Sequence, residues 1–507
     1  MKKIYVPLLF VVFFSDAFSQ GLLKPIWCKT RSSLLKGGQA DAWSVDVDAS
    51  GSIYWPINMD STATDKLYDI LIYKYDSLGR EKWVSYCGGA GLQHASICNA
   101  QDTALYLGGR ENTVAPYNGS ADHMFIIKIS KQTGAILKRN DGINFGDSTG
   151  YDEMDAIEPR KDGIYCGGWA QVKGTAGDYE MGFLKLDYNL NILVENYFGD
   201  TAHGHAEHQD GHFVVDSNYI FAGGLWDGHS AVNNEGDGRA MLGKFDRTNL
   251  TMVDTALYGA TLSEAFDLQN TLGSATDGKY IYTTGYAEPS NTSNLQIFVA
   301  KFDKNLKLQW INYFGRDGSE EARAIIVHNG YIYVGGSSNS PSFASQGGYD
   351  AVLLVYDTAG KYIGYNTFGD TKDNEFRDMA IYGHSIYLTG TTGTNMFGGG
   401  TSDSAFLIKA DLNEIMTGFK TGSKIGFMSI VYPNPSPNEI IVRLLGVKKM
   451  GITIFHVYDA SGKEVKEISQ SSEGSLVKLN IADLPKGKYL LKTNIDNSTE
   501  VVNFERE

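Results

Sequence analysis

Four histidines, His203, His205, His208 and His212, fall within the twelve residues TAHGHAEHQDGH, although the whole chain of 507 residues has only ten. Neutral imidazoles this close together can hold zinc or copper, so His205, His208 and His212 are candidate ligands for a divalent metal, with His229 as an outside helper. Their spacing is that of a flexible loop and not a ligand signature, so a polar loop with no ion is the favoured reading. A second candidate set is aromatic. Trp169 and Trp226 stand just after Gly-Gly pairs, and Trp55 lies near the equivalent place. Rings at loop mouths stack on sugars or anchor an interface; the plainer reading packs them beneath their own loops. A third set is a column of carboxylates, Asp41, Glu153, Glu264, Glu321 and Glu375, with His94 in the same register. Such a column either binds a cation or accepts N–H bonds from a neighbouring repeat, and the structural role is the commoner one. No nucleophile elbow, HExxH helix or P-loop occurs, so no catalytic residue is assigned.

These side chains sit on a repeated framework. A short aromatic strand recurs seven times (IYW, LYL, IYC, IFA, IYT, IYV, IYL), and six of the seven run into Gly-Gly or Thr-Gly. A second strand follows after a variable loop (ILIYKYD, MFIIKIS, MGFLKLD and their equivalents). A third carries EKWVSYCGG or LQWINYFGR, and a fourth apolar segment precedes each unit. Four short strands at this period predict the blades of an all-β, seven-bladed β-propeller. Isolated sheets of this size cannot bury either face, whereas stacked sheets bury both. The last repeat lacks its fourth strand, and LLKPIWCKT at 22–30 matches NLKLQWINY at 305–313, so the N-terminal strand is expected to complete the last blade. Long, dissimilar loops between the second and third strands place binding on one face, together with the loops that join successive repeats.

The repeats, among them YVGGSSNSPSFASQGGYDAVLLVYDTAGKYIGYNTFGD, resemble the bacterial seven-bladed β-propeller repeat family of large secreted proteins. That resemblance implies a fold and almost no chemistry. Beyond KTGSKIGFMS the composition changes, and short alternating strands with Asp-Ala-Ser-Gly-Lys and Pro-Lys-Gly turns predict a small immunoglobulin-like β-sandwich. Tyr432-Pro433-Asn434-Pro435, the turn at Gly462-Lys463, and the strand around Gly487 and Tyr489 closely resemble the type A C-terminal sorting domain of the type IX secretion system of Bacteroidetes. The resemblance implies recognition by that machinery and export through the outer membrane, although the chain ends NFERE where family members commonly end on a basic stretch.

The other end agrees with export. Two lysines, an apolar run from Ile4 to Phe14 and small residues at Ala17 and Ser19 form the pattern of a signal peptide over 1–19. The expected organisation is that segment, a propeller over 20–420, a linker at 421–428 and the sorting domain at 429–507. No later run is apolar and long enough to span a bilayer. A net charge of −15 argues against nucleic acid as a partner. Cys28, Cys87, Cys98 and Cys166 are scattered singly, and both a disulfide and a buried thiol fit them. The expected protein is secreted or displayed on the outer-membrane surface and binds a glycan or another protein. The alternatives are an extracellular carbohydrate-active or metal-dependent enzyme using the same face, and a structural component of the cell surface.

Overall fold

The computed structural model describes residues 18–19, 23–33, 38–60, 68–88, 91–112, 122–145, 151–171, 180–199, 211–227, 238–258, 266–289, 294–315, 318–341, 348–368, 372–393, 403–412, 428–432, 438–445, 452–459, 463–471, 476–495 and 498–506. The signal segment expected at 1–19 and the linker at 421–428 lie almost wholly outside them. The chain divides into two compact units, one ending at Met416 and the other running from Thr417. Both are built of β-strands, with no α-helix among the described residues.

The first unit contains seven antiparallel sheets of four successive strands, here called a to d. Strand a of sheet 1 is broken into Ala40–Asp41 and Asp46–Val47. Sheets 2 to 6 begin at Leu92, Glu153, Val214, Phe266 and Glu320. Sheet 7 takes strands a to c from Asn374–Tyr382, Ser385–Thr392 and Ser404–Asp411, and its fourth strand is Lys24–Ser32, paired antiparallel from Lys24↔Asp411 to Ser32↔Ser404. The burial pattern explains the sequence pattern. All eight residues of Ile53–Asp60 are buried, because a middle strand has a sheet against each face, whereas Glu81–Tyr86 on the outside alternates. The sheets pack in order. Ile72 shares a core with Leu105, Ile126 with Met154 and Leu242 with Phe298, and Phe183 meets Phe245 at 4.4 Å between ring centroids. Val299 shares a core with Val334, Phe368 meets Phe376, and Trp55 of sheet 1 shares a core with Tyr387 and Leu407 of sheet 7.

One register position recurs where each sheet faces the turn of the next. Residues 83, 138, 194, 254, 310, 364 and 27 occupy the same register position on strand d. Where that position is Trp83, Trp310 or Trp27, the ring lies over a glycine in the c–d turn of the next sheet: Gly134, Gly360 or Gly79, all with positive φ. A Cβ on Gly134 would stand 2.8 Å from the Trp83 ring. Where the position is Lys138, Val194 or Asp254, the next turn carries Leu190, Leu250 or Leu306, also at positive φ and nearly fully buried. Gly364 is followed by Leu23, one residue before Lys24–Ser32 and 1 % exposed. A large ring over glycine in three pairs, and Val194 sharing a core with Leu250 in another, fill this contact, while Lys138 and Asp254 are exposed at the same position.

Polar bonds run alongside. Strand-c lysines donate Nζ to the turn carbonyls of the next sheet, Lys74 to Lys131 (2.7 Å), Lys128 to Tyr188 (2.9 Å), Lys244 to Lys304 (3.0 Å), Lys301 to Thr358 (2.8 Å) and Lys409 of sheet 7 to Ser77 of sheet 1 (2.7 Å). The Asn366 side chain bonds both the N–H and the carbonyl of Leu23 (3.0 and 3.3 Å).

In the second unit, Met428–Tyr432, Glu439–Leu445 and Leu476–Asn480 form a three-stranded sheet. A four-stranded one is ordered Glu464–Ser471, Ile452–Asp459, Gly487–Ile495, Ser498–Arg506. Ile440, Val442 and Leu479 from the first share a core with Phe455, Val457, Leu491 and Phe504 from the second, so this unit is a β-sandwich.

The volume exchange between strand d and the next turn is testable. Trp83→Val alone is expected to cost on the order of 3 kcal/mol, and Gly134→Leu alone also destabilises because its side chain meets the ring. Combined, they reproduce the Val194–Leu250 pairing. The double variant should therefore unfold above the midpoint expected from adding the single effects, by roughly 1–2 kcal/mol in a thermal-melt double-mutant cycle.

Candidate functional site

The first strands of sheets 2, 3, 5, 6 and 7 share a β-bulge that leaves Ser96, Asp155, Leu272, Arg323 and Arg377 outside the pairing register. These five residues, with Trp43 of sheet 1 and Gly211 of sheet 4, line one small cavity of about 40 Å³. One residue from each of the seven sheets thus meets at a single constriction. Two wider cavities adjoin it, sharing His212 with one and Trp43 and Arg377 with the other.

The carboxylate column precedes the bulge. Glu153, Glu321 and Glu375 pair with Trp169, Ser337 and Thr391, His94 with Arg110 and Asp41 with Asn58. The register places Asn270, paired with Tyr286, at this position in sheet 5, which corrects the expectation of Glu264; Glu264 itself lies outside the described residues. Each described carboxylate has a polar partner. Glu321 pairs with Arg323 (2.7 Å) and Glu375 with Arg377, while Asp41 accepts from Asn58 Nδ2 (2.8 Å). Glu153 is bonded by Ser96 and Tyr151 and flanked by Arg110 and His94. Burial opposes its ionisation, but Arg110, His94 and Ser96 outweigh burial and hold its carboxyl below the usual carboxylate range.

On one side of the constriction a cavity of about 280 Å³ gathers Asp46, Glu158, Arg160 and His212. His212 Nε2 lies 3.0 Å from Asp378 Oδ1, a bond from sheet 4 to sheet 7. Asp378 also accepts from Ser44 Oγ (2.8 Å) and Val45 N–H (3.0 Å) of sheet 1. The His212 side chain is 35 % exposed, but that surface faces the cavity. Burial there disfavours its charge; Asp378, Glu158 and Asp46 outweigh burial and raise the pKa from 6.5 to about 9. Burial raises Asp46 to about 6, against hydrogen bonds from Ala100, Val47 and Gln101. His205 and His208, the other expected metal ligands, lie outside the described residues with His203 and His229. Where it is described, His212 is a cross-sheet bonding partner of a carboxylate.

On the other side, a cleft of about 400 Å³ opens between sheets 7 and 1. Trp43 and Tyr68 provide aromatic walls, and Asp41, Asp373, Glu375 and Asp403 supply carboxylates. Arg377 lies over the Trp43 ring at 4.3 Å and Arg323 at 6.0 Å, while His94 meets both rings edge-on. Burial, then the charges of Asp41, Asp373 and Glu375, raises the pKa of Asp403. The Tyr68 hydroxyl is bonded to Gln39 (3.1 Å), and burial followed by Asp41, Asp60 and Asp403 raises it to about 12.

The three tryptophans expected at loop mouths are placed differently from one another. Trp55 is fully buried in the core between sheets 1 and 7 and donates to Thr389 Oγ1 (2.7 Å). By register it is the equivalent of Cys166, not of Trp169, so no face of it is left for a ligand. Trp169 is half-buried, edge-on to Tyr151 at 6.1 Å. Trp226 stands one register position further along and packs on Phe198. The loops they adjoin, 172–179 and 228–237, lie outside the described residues. Sequence reasoning missed Trp43, Tyr68 and Asp403. One available signal was that DAWSV, EARAI and EFRDM align a Trp and two Arg two places after the column carboxylate.

The four cysteines are free and buried. Burial pushes their thiol pKa values up, to about 11 for Cys87, which leaves them unreactive.

In the sandwich, Tyr432 ends a strand, while Pro433, Asn434, Pro435 and Gly462 lie outside the described residues. Lys463 closes a hairpin by accepting from Asp459 N–H (2.9 Å), and Gly487 begins a strand. Tyr489 stacks on Phe504 at 5.4 Å and donates to the Pro485 carbonyl (2.6 Å).

Residues 430–504 match the family described as the secretion system C-terminal sorting domain. The chain is therefore a β-propeller-type protein with a type IX sorting domain, which marks it for export to the cell surface or exterior. No curated protein matches it. Among solved structures it is similar to the WD40 β-propeller domain of Doa1, with 10 % identity over 75 % of this chain and 97 % of that one, at a TM-score of 0.42. It is also similar to the β-propeller domain of the trilobed protease of Pyrococcus furiosus, with 9 % identity, the same coverages and a TM-score of 0.43. Drosophila Semaphorin 2a gives 10 % identity over 99 % of this chain and all of that one, at 0.44. None of these likenesses bears on what the chain binds.

The cross-sheet bond of His212 gives a pH dependence with a definite sign. A histidine whose folded pKa lies above its ordinary value stabilises fully below about pH 6.5, and that contribution disappears as the pH rises through about 9. The thermal midpoint should fall less steeply between pH 7 and 10 in His212→Asn than in the wild type. Equal slopes would show that this proton is not coupled to folding.

Proposed function

We propose that the seven sheets are the blades of a closed seven-bladed propeller, locked by the N-terminal strand, and that the tail is an immunoglobulin-like sorting module recognised by the type IX machinery. The convergence of one residue from each sheet on one constriction supports this, as do the bonds from sheet 7 onto sheet 1. The exported propeller acts as a binding module for a glycan, or a glycan-bearing protein, through the cleft between sheets 7 and 1.

The observation that carries this reading is the lining of the cleft. Two aromatic walls, Trp43 and Tyr68, face a group of carboxylates in a space of about 400 Å³. Aromatic faces cover the apolar face of a sugar ring, and carboxylates accept from its hydroxyls. Arg377 lies over the Trp43 ring at 4.3 Å and restricts its rotation, so little side-chain freedom is lost on binding. Because burial and the neighbouring carboxylates raise the pKa of Asp403 in the same cleft, hydrolysis of the bound glycan is the rival outcome.

A glycan array probed with the exported protein should give defined hits. Trp43→Ala and Tyr68→Ala should weaken them by tenfold or more, while Trp226→Ala leaves them unchanged. Hits that survive both cleft substitutions would sink the assignment. Release of reducing ends from a bound glycan, abolished by Asp403→Asn, would convert the binder into an enzyme.

A further inference from the structure

Phe455 and Val457 point into the core of the sandwich, so His456 between them projects from the opposite face of its sheet. Its register partner on the edge strand Glu464–Ser471 is Glu467, and Tyr458 is paired with Glu464. Glu464 and Glu467 are three residues apart, which in a regular strand would send them to opposite faces. A bulge between Val457 and Tyr458 places one extra residue on the edge strand and restores Glu464 to the face of Glu467. His456 Nδ1 consequently lies 3.0 Å from Glu464 Oε1 and 3.7 Å from Glu467 Oε2. All three donor atoms are within 4.8 Å of one another, and no other such group of three occurs among the described residues.

Nitrogen and oxygen donors held at about 2.0–2.2 Å around a tetrahedral ion stand roughly 3.4 Å apart. The two measured separations bracket that spacing, so only small side-chain rotations are needed. His456 is 23 % exposed and the two glutamates more so, which leaves an outward position for water. Lys492, paired with His456 from the other side, is a neighbouring charge whose sign works against a cation.

We propose that His456, Glu464 and Glu467 bind a divalent transition metal, zinc by the chemistry of this imidazole–carboxylate set, with water completing the shell. The ion would clamp the edge strand of the sorting module to its neighbour.

The test is equilibrium dialysis of the purified full chain against zinc chloride, with cobalt chloride as a probe whose visible absorption reports the ligand geometry. One equivalent of zinc should be lost, or its affinity lowered by tenfold or more, in His456→Ala and in Glu467→Gln, with the far-UV circular dichroism unchanged. A chain with His203, His205 and His208 all replaced by alanine should keep that equivalent, which separates it from any ion held by the histidine loop. A wild type that takes up no zinc at millimolar free metal, or a His456→Ala chain with unchanged stoichiometry and affinity, overturns the proposal.

Discussion

Much of the first unit depends on the distance between neighbouring sheets, and where strand d meets the next turn three tryptophan rings seat directly on turn glycines to set it. Side-chain identities vary widely at both positions, from tryptophan to glycine on one side and from glycine to leucine on the other. Where the two positions touch, the sizes are complementary, a tryptophan ring on glycine or Val194 with Leu250, because a close-packed interior tolerates neither a gap nor an overlap. A positive φ in the turn suits glycine, yet three turns place leucine there. The steric cost of a left-handed leucine, roughly 1 kcal/mol, is smaller than the cost of the cavity its absence would leave.

Uniform spacing in turn brings the first strands to a common place. There the bulge does for the interior what the turn contact does at the outside: it re-aims one residue per sheet without breaking the ladder. The charges so assembled are neutralised locally, Glu321 by Arg323 and Glu375 by Arg377 on the same strand, and Glu153 by Arg110. The cleft lies where the pattern is interrupted. Sheet 1 has a broken first strand, and Trp43 occupies the break, so its ring is free of ladder constraints and takes the two arginines as its neighbours.

The sequence made the strands legible because period and composition are properties of short segments. The IYxGG repeat marks a strand buried on both faces, and its glycines admit the close carbonyl of the preceding strand, as at Gly168 against Glu153. The sorting motif was legible for the same reason. The site was not. A strand read with strict period two assigns Asp155 or Arg377 to the wrong face, and only the bulge shows that each meets the others. A three-residue offset put Trp55 at a loop mouth when it belongs with Cys166 in the core and Asn58 takes the place of Trp169. The register of sheet 5 likewise selects Asn270 over Glu264.

The pairing of Lys24–Ser32 with Ser404–Asp411 has a consequence in time as well as in space. A chain made from its N-terminus holds that first strand without its partner until almost the whole propeller has been synthesised. Until then the strand is a bare edge, with unpaired N–H and C=O groups and the Trp27 ring not yet seated on Gly79. A product truncated before residue 404 would keep the edge open permanently and offer it to any extended chain nearby. Completion of the last sheet is thus a built-in length check, passed only by a chain that has also reached the threshold of its sorting domain.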